Sequence, residues 1–299
     1  MRYRPFARTG MAVSTLSLSL DGGDDAKKPS DWRELIHAAF EEGVNAFEIV
    51  HPTLALLTGF AEGASVVKRS LIFAALRVDA GVDSESLEPW VRQVISRAGI
   101  GVLNLVTTDA GASRADGMLL ALQQLRTSEA AHHLAVAGAG DLLAEDIDSG
   151  HFDAIVTPFN MLSTWRDRNQ VRKALEQQMG VIACDPFPPA LASLLEATEV
   201  ETKPPGWFKK AKPLAGMGTY AFLSATRGWT AEQLCLAYAL TEPAVASVQM
   251  PLESRERLKA LAGTSDRDLP STVSAQIEMA RFSEKGGLAD QPVEGRRTA

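Results

Sequence analysis

The sequence is poor in cysteine, has no excess of positive charge and contains no long apolar run, and each shortage removes a class of protein. Its two cysteines, Cys184 and Cys235, lie inside apolar segments. They supply neither a disulfide framework nor zinc-ligand spacing and read as reduced structural thiols. Lys and Arg number 30 against 37 Asp and Glu, a net charge of −7 with a pI near 5.4. A protein tracking nucleic-acid phosphates would be basic. No stretch reaches membrane-spanning length, and the start, Met1-Arg2-Tyr3-Arg4-Pro5 followed by Arg8-Thr9-Gly10, lacks the apolar core of a secretory signal. These features predict a cytoplasmic chain. What is present is ordinary globular material, 299 residues that are 45% hydrophobic and 22% charged, long enough for two domains or one large α/β barrel.

Short β-branched or apolar runs alternate with helix-period segments almost from end to end, which predicts a parallel sheet. Arg2 to Phe6 and Ala12 to Leu16 read as a hairpin around Arg8-Thr9-Gly10, and Leu16 to Leu20 as the first core strand. Trp32, Leu35, Ile36, Ala39 and Phe40 then share a helix face, with Ser30 or Asp31 as N-cap and Gly43 as the stop. Further strands follow at 45–50, 71–76, 101–107, 134–137, 153–157, 181–184 and 245–248, separated by helices, with an irregular Pro-rich stretch at 186–220. Eight βα units without a break in composition predict a single (β/α)8 TIM barrel whose N-terminal β-hairpin caps the bottom. The expected layout is a barrel over 1–282 and a flexible C-terminal tail over 283–299.

Several strings, taken in order, resemble the aldo-keto reductase superfamily. Met1 to Ser14 resembles its N-terminal hairpin, Gly43-Val44-Asn45-Ala46-Phe47 its second strand, Phe152 to Leu162 its sixth strand, and Thr230 to Leu240 its seventh helix. The resemblance implies a carbonyl reductase that uses a nicotinamide dinucleotide, a Tyr proton donor, a Lys that lowers the Tyr pKa, a substrate-orienting His and an Asp paired with the Lys. A phenol starts near pKa ~10, and an adjacent cation can bring it towards neutrality.

On this alignment the Asp position carries Glu48, the Tyr position Thr53, the Lys position Arg77 or Leu76, and the His position Thr107. No tetrad member keeps its identity, and a threonine hydroxyl cannot be tuned as a phenol can, so loss of reductase activity is expected. The cofactor positions that the resemblance carries over are Leu20 or Asp21 after the first strand, Glu48, Gly138 after the fifth, and Cys184, Pro186 and Phe187 after the seventh. Ser254 and Arg257 follow the eighth. Glu253 stands where the family has a phosphate-binding Arg, which favours NAD(H) over NADP(H) by repulsion of a 2′-phosphate. Val156 and Gly138-Ala139 replace polar groups that meet the nicotinamide amide, so a barrel without any cofactor is the alternative.

Other features have bland readings beside sharp ones. Glu48 and His51 could form a relocated acid pair at the barrel mouth, against a solvated rim pair. His132-His133 point to opposite sides of a strand and cannot share a metal well. Asp21-Gly22-Gly23-Asp24-Asp25 reads as a flexible acidic loop, and Lys209-Lys210-Ala211-Lys212 as solvated surface beside Trp207-Phe208, a lid or partner anchor. A kept scaffold with a dismantled tetrad predicts a catalytically inactive homologue that acts on other proteins. A narrower resemblance, to an oxidoreductase homologue that inhibits cell division and kinase signalling, implies a tubulin-like division GTPase and a histidine kinase as partners.

Overall fold

The structure, a computed structural model, describes residues 1–23, 27–193, 195, 220–252 and 254–289, with side chains to residue 280. A two-stranded hairpin comes first, β1 (Tyr3–Pro5) antiparallel to β2 (Ala12–Ser14). Eight parallel strands then close into a barrel in the order β10-β3-β4-β5-β6-β7-β8-β9. They are β3 (Leu16–Asp21), β4 (Ala46–Val50), β5 (Phe73–Arg77), β6 (Leu103–Asp109), β7 (Ala131–Ala137), β8 (Ala154–Pro158), β9 (Gly180–Cys184) and β10 (Ser247–Pro251). Around them run α1 (Pro29–Glu41), α2 (Leu54–Ala64), α3 (Leu87–Ala98), α4 (Met118–Thr127), α5 (Gly140–Ser149) and α6 (Trp165–Glu176). After β9 come the short α7 (Phe222–Ala225), α8 (Ala231–Ala239), α9 (Arg255–Ala262) and α10 (Ser271–Ala289). The expected (β/α)8 barrel and its hairpin are both present.

Alternation along each strand sorts side chains into two cores. Outward residues such as Leu18, Ile49, Leu76 and Val106 pack under the helices. Inward residues form a separate cluster with six alanines, Ala46, Ala75, Ala135, Ala137, Ala154 and Ala246, around Phe6, Phe73, Leu105 and Ile182. The small residues leave room for the Phe6 ring, which rises from the hairpin turn and meets Phe73 edge-on with centroids 4.9 Å apart. Gly180 is required beneath it, because a Cβ there would lie 2.6 Å from the Phe6 ring. The hairpin therefore plugs the N-terminal end of the barrel, and the C-terminal strand ends remain the open mouth.

Several boundaries differ from those read in the sequence. Helix α1 begins earlier than a Ser30 or Asp31 cap allows: Lys28 is the N-cap, and Asp31, three positions on, accepts the Lys28 N–H at 2.9 Å. The last strand starts at Ser247 rather than Val245, because Val245 packs in the outer core before pairing begins. Within the stretch read as irregular, 189–193 are helical, while 194 and 196–219 lie outside the described residues, and with them Trp207-Phe208 and Lys209 to Lys212. Asp24, Asp25 and Glu253 also lie outside them. Helix α10, which no strong periodicity announces, buries Val273, Ile277 and Ala280 against Leu234 and Tyr238 of α8. Among the described residues no helix is long and apolar enough to cross a membrane. Phe6→Ala removes the plug, and an expected cost of about 3 kcal/mol or more is readable as a lower midpoint in urea unfolding.

Candidate functional site

Inward alternation at the open end of β4, β5, β6 and β10 brings a polar cluster into an otherwise apolar barrel. Glu48 is 5% exposed and accepts from three donors. Arg77 Nε donates to Oε1 at 3.2 Å, Arg77 Nη2 to Oε2 at 3.1 Å, and Gln249 Nε2 to Oε2 at 2.6 Å. The other arm of the guanidinium, Nη1, donates to Asp109 Oδ1 at 3.3 Å. Burial works against the Arg77 charge, but Glu48 and then Asp109 outweigh it and hold its pKa above the ordinary arginine value. Arg77 is the inward residue, whereas Leu76 is fully buried beneath the helices, so the strand geometry selects Arg77 of the two sequence candidates. Gln249 and Asp109 belong to no motif in the sequence; strand parity is the signal that marks them as inward.

Thr107 lies in register with Arg77 on β6, fully buried, and its Oγ1 has no hydrogen-bond partner among the described residues. Thr53 has a structural occupation: it is the N-cap of α2, its hydroxyl accepting from Leu56 N–H at 3.4 Å. Each of the three tyrosines is placed elsewhere. Tyr3 on the hairpin donates to the Gly43 carbonyl, Tyr238 meets Arg168, and Tyr220 is buried with Leu191 and Phe222. None of them bonds to Arg77.

His51 does not join Glu48. It stands on the rim with φ +45°, its Nδ1 2.9 Å from Asp21 Oδ1 and its Nε2 4.0 Å from Asp79 Oδ1. The hydrogen bond to Asp21 raises the His51 pKa against slight burial. Burial opposes the Asp21 charge, but the Gly23 N–H and His51 overcome it and lower the Asp21 pKa. His132 is exposed and His133 half-buried near Asp153, with ring centroids 6.4 Å apart. Cys184 closes β9 on the inner side, and burial, aided by Asp185, pushes its thiol up to about 12, so it is no thiolate nucleophile at neutral pH. Burial raises the Cys235 pKa likewise.

The carried-over cofactor positions divide. Asp21, Gly138 and Cys184 sit at strand ends on the open face, and Pro186 follows, buried. Gly138 is required locally, since a Cβ there would lie 2.8 Å from the Ala110 Cβ. Leu20 is a correction: it is an outward residue, fully buried under the helices, and its side chain does not face the mouth. Phe187 packs its ring on the Met161, Leu191 and Tyr220 cluster. Ser254 caps α9 by accepting the Arg257 N–H at 3.2 Å, and the Arg257 guanidinium is paired with Glu232, Nε to Oε1 at 3.1 Å.

Two expectations follow from this geometry. Arg77→Met leaves a buried carboxylate short of its charge partner and is expected to destabilise the fold by about 3 kcal/mol, with part recovered in Arg77→Met/Glu48→Gln; urea unfolding measures both. A histidine whose folded pKa is raised stabilises fully below its unfolded pKa of about 6.5 and loses that contribution as pH rises through the folded value. NMR titration of the His51 ring is expected to give a midpoint above the free value, lowered by Asp21→Asn.

Compared by sequence, the chain matches no family model and no curated protein. Compared by structure, it is similar to an aldo-keto reductase from Bacillus halodurans. The apo form superposes with a TM-score of 0.70 and the holo form with 0.72, each at 15% identity over 94% of this chain and 96% of that one. The eight-stranded barrel with its N-terminal hairpin thus has an aldo-keto reductase (β/α)8 fold.

Proposed function

We propose that this protein is a catalytically inactive aldo-keto reductase homologue that binds NAD(H) in preference to NADP(H) at the open end of the barrel and regulates partner proteins. The observation that carries this reading is the state of Arg77. In the position where the resemblance requires a lysine acting on a phenol, a guanidinium is clamped between Glu48 and Asp109. Its charge is already matched, and no tyrosine is in contact with it, so the proton that a reduced carbonyl needs has no tuned donor.

The donor set at the open end suits a dinucleotide. The orphaned Thr107 hydroxyl offers a buried polar atom beside Arg77, and the Ser254 cap offers the start of a helix, a favourable place for a phosphate. Ser254, Gly138 and Cys184 would line the group, whose own chemistry when bound is hydride donation. Arg257 is already matched by Glu232, so it brings no unbalanced charge to a 2′-phosphate, in keeping with NAD(H). The narrower resemblance, to the division and kinase inhibitor KidO, supplies the partner classes: a tubulin-like division GTPase and a histidine kinase. A dinucleotide that favours one arrangement of the mouth would bias partner binding by its differential affinity.

A second reading draws on the Asp21–His51 hydrogen bond. A rim histidine with a raised pKa is a proton donor, and a carbonyl reductase using His51, or Glu48, would be an active enzyme. Titration with NADH and NADPH, followed by Trp fluorescence and energy transfer to the reduced nicotinamide, separates the readings when a carbonyl panel is added to the same samples. The expected result is saturable binding, tighter for NADH, without turnover. Steady turnover that falls in His51→Ala or Glu48→Ala would establish the reductase, and no binding of either nucleotide would leave a cofactor-free scaffold.

A further inference from the structure

The closed end of the barrel has a cleft that the nucleotide reading does not use. We propose that it is a second binding site, for a small organic anion with an apolar body. The cleft lies between the hairpin and the connections entering β9 and β10, and its volume is about 670 Å³. Ligand pockets are typically ~300–1,000 Å³. Its walls are Arg4 and Arg8 from the hairpin, Leu175 and Met179 from the end of α6 and beyond, and Pro243 and Ala244 before β10.

Charge identifies the ligand. Arg8 is exposed and has no hydrogen bond or ion pair with any described residue. Arg4 is half-buried and donates only to backbone carbonyls, to Leu240 at 2.7 Å, to Glu242 at 3.2 Å and to Val245 at 2.5 Å. Burial, and then the neighbouring Arg2, lower its pKa. Arg2, Arg33, Arg92, Arg114, Arg126 and Arg255 each meet a carboxylate; Arg4, like Arg69, is held by carbonyl oxygens instead, and Arg8 meets neither among the described residues. The acid nearest in the chain, Glu242, turns its carboxylate to the Ala244 N–H at 3.4 Å instead. One guanidinium without a partner, Arg8, in a cleft on a chain of net charge −7, marks a place for an anion, while Arg4, held by three carbonyl oxygens, forms the wall beside it.

Packing supplies the rest of the ligand's outline. Met179 and Ala244 are 5% and 6% exposed and form a floor, while Leu175, 50% exposed, stands over it without covering it. An acyl or aromatic body fits against these groups, with its carboxylate on Arg8. The backbone fixes the walls. Ala7 (φ +48°) and Gln178 (φ +61°) line the cleft, and they are two of the five non-glycine residues in the left-handed region among those described. Both conformations are set locally, Gln178 by the end of α6, where its N–H donates to the Leu175 carbonyl at 2.8 Å, and Ala7 by the hairpin turn, so both walls are held in place without a ligand. A smaller recess shares Arg8 and Met179 and continues towards His133, so the guanidinium can serve a ligand from either side.

Octanoate is the probe. The full chain is titrated by calorimetry, with 13C-methyl methionine NMR locating the site through Met179, assigned by Met179→Leu. The expected result is saturable one-to-one binding, a shift confined to the Met179 methyl, at least about tenfold weaker affinity in Arg8→Ala, and partial rescue in Arg8→Lys. Arg8 is exposed and unpaired, so its removal leaves the fold intact, verified by an unchanged urea midpoint. Unsaturable binding, equal binding by 1-octanol, unchanged affinity in Arg8→Ala, or shifts at other methionines in place of Met179 would each overturn the proposal. The nucleotide titration does not bear on it, because the two sites lie at opposite ends of the barrel.

Discussion

The ion pair between Glu48 and Arg77 inside the barrel is the constraint to which the open end of this fold answers. Placing two charges among apolar strands is costly, and the Coulombic return repays the cost only when the remaining polar atoms are also satisfied. That condition recruits Gln249 from the last strand and Asp109 from β6, so one cluster ties four strands together at the point where the barrel closes. The alanine-rich interior belongs to the same solution: small inward residues leave volume for a guanidinium above and for two phenyl rings below.

The two ends of the barrel have different physics in consequence. The lower end is a hydrocarbon plug, Phe6 on Phe73 over Gly180, whose contribution depends on packing and is indifferent to pH. The upper end is electrostatic, with Glu48, Arg77 and Asp109 in the centre and Asp21, His51 and Asp79 around the rim. A cation already shared between two carboxylates stabilises the fold and holds strands together. The same sharing leaves it little capacity to lower the pKa of a proton donor, and this is the physical basis of the proposed loss of reductase chemistry.

Much of the barrel was legible because its periodicities are local. Apolar strands alternating with helices, and helices with Trp32 and Ile36 or Val91 and Ile95 on one face, express themselves within a few residues. Legibility failed where local signals were weak or ambiguous. Asp31 looks like a cap but serves three positions inside the helix, because Lys28 already has extended backbone there. Helix α10 carries a diffuse apolar pattern and gains its place from contact with α8. Thr53, aligned with a catalytic position, turned out to have a capping role that its neighbours Leu54 to Leu57 already foreshadow.

By itself the sequence determined the number and order of the βα units, the hairpin in front of them, and the presence of Glu48 and Arg77 near the ends of adjacent strands. Those are properties of spacing, and spacing survives in a linear text. The tertiary structure alone decided that Arg77 rather than Leu76 points inward, and that Leu20 turns away from the mouth. It decided that Glu48 bonds Gln249 across 201 positions of chain, and that His51 takes Asp21 in place of Glu48. The reason is closure: strand parity becomes an inside and an outside only when the last strand meets the first, and a buried charge chooses its partners only among the groups that closure brings within reach.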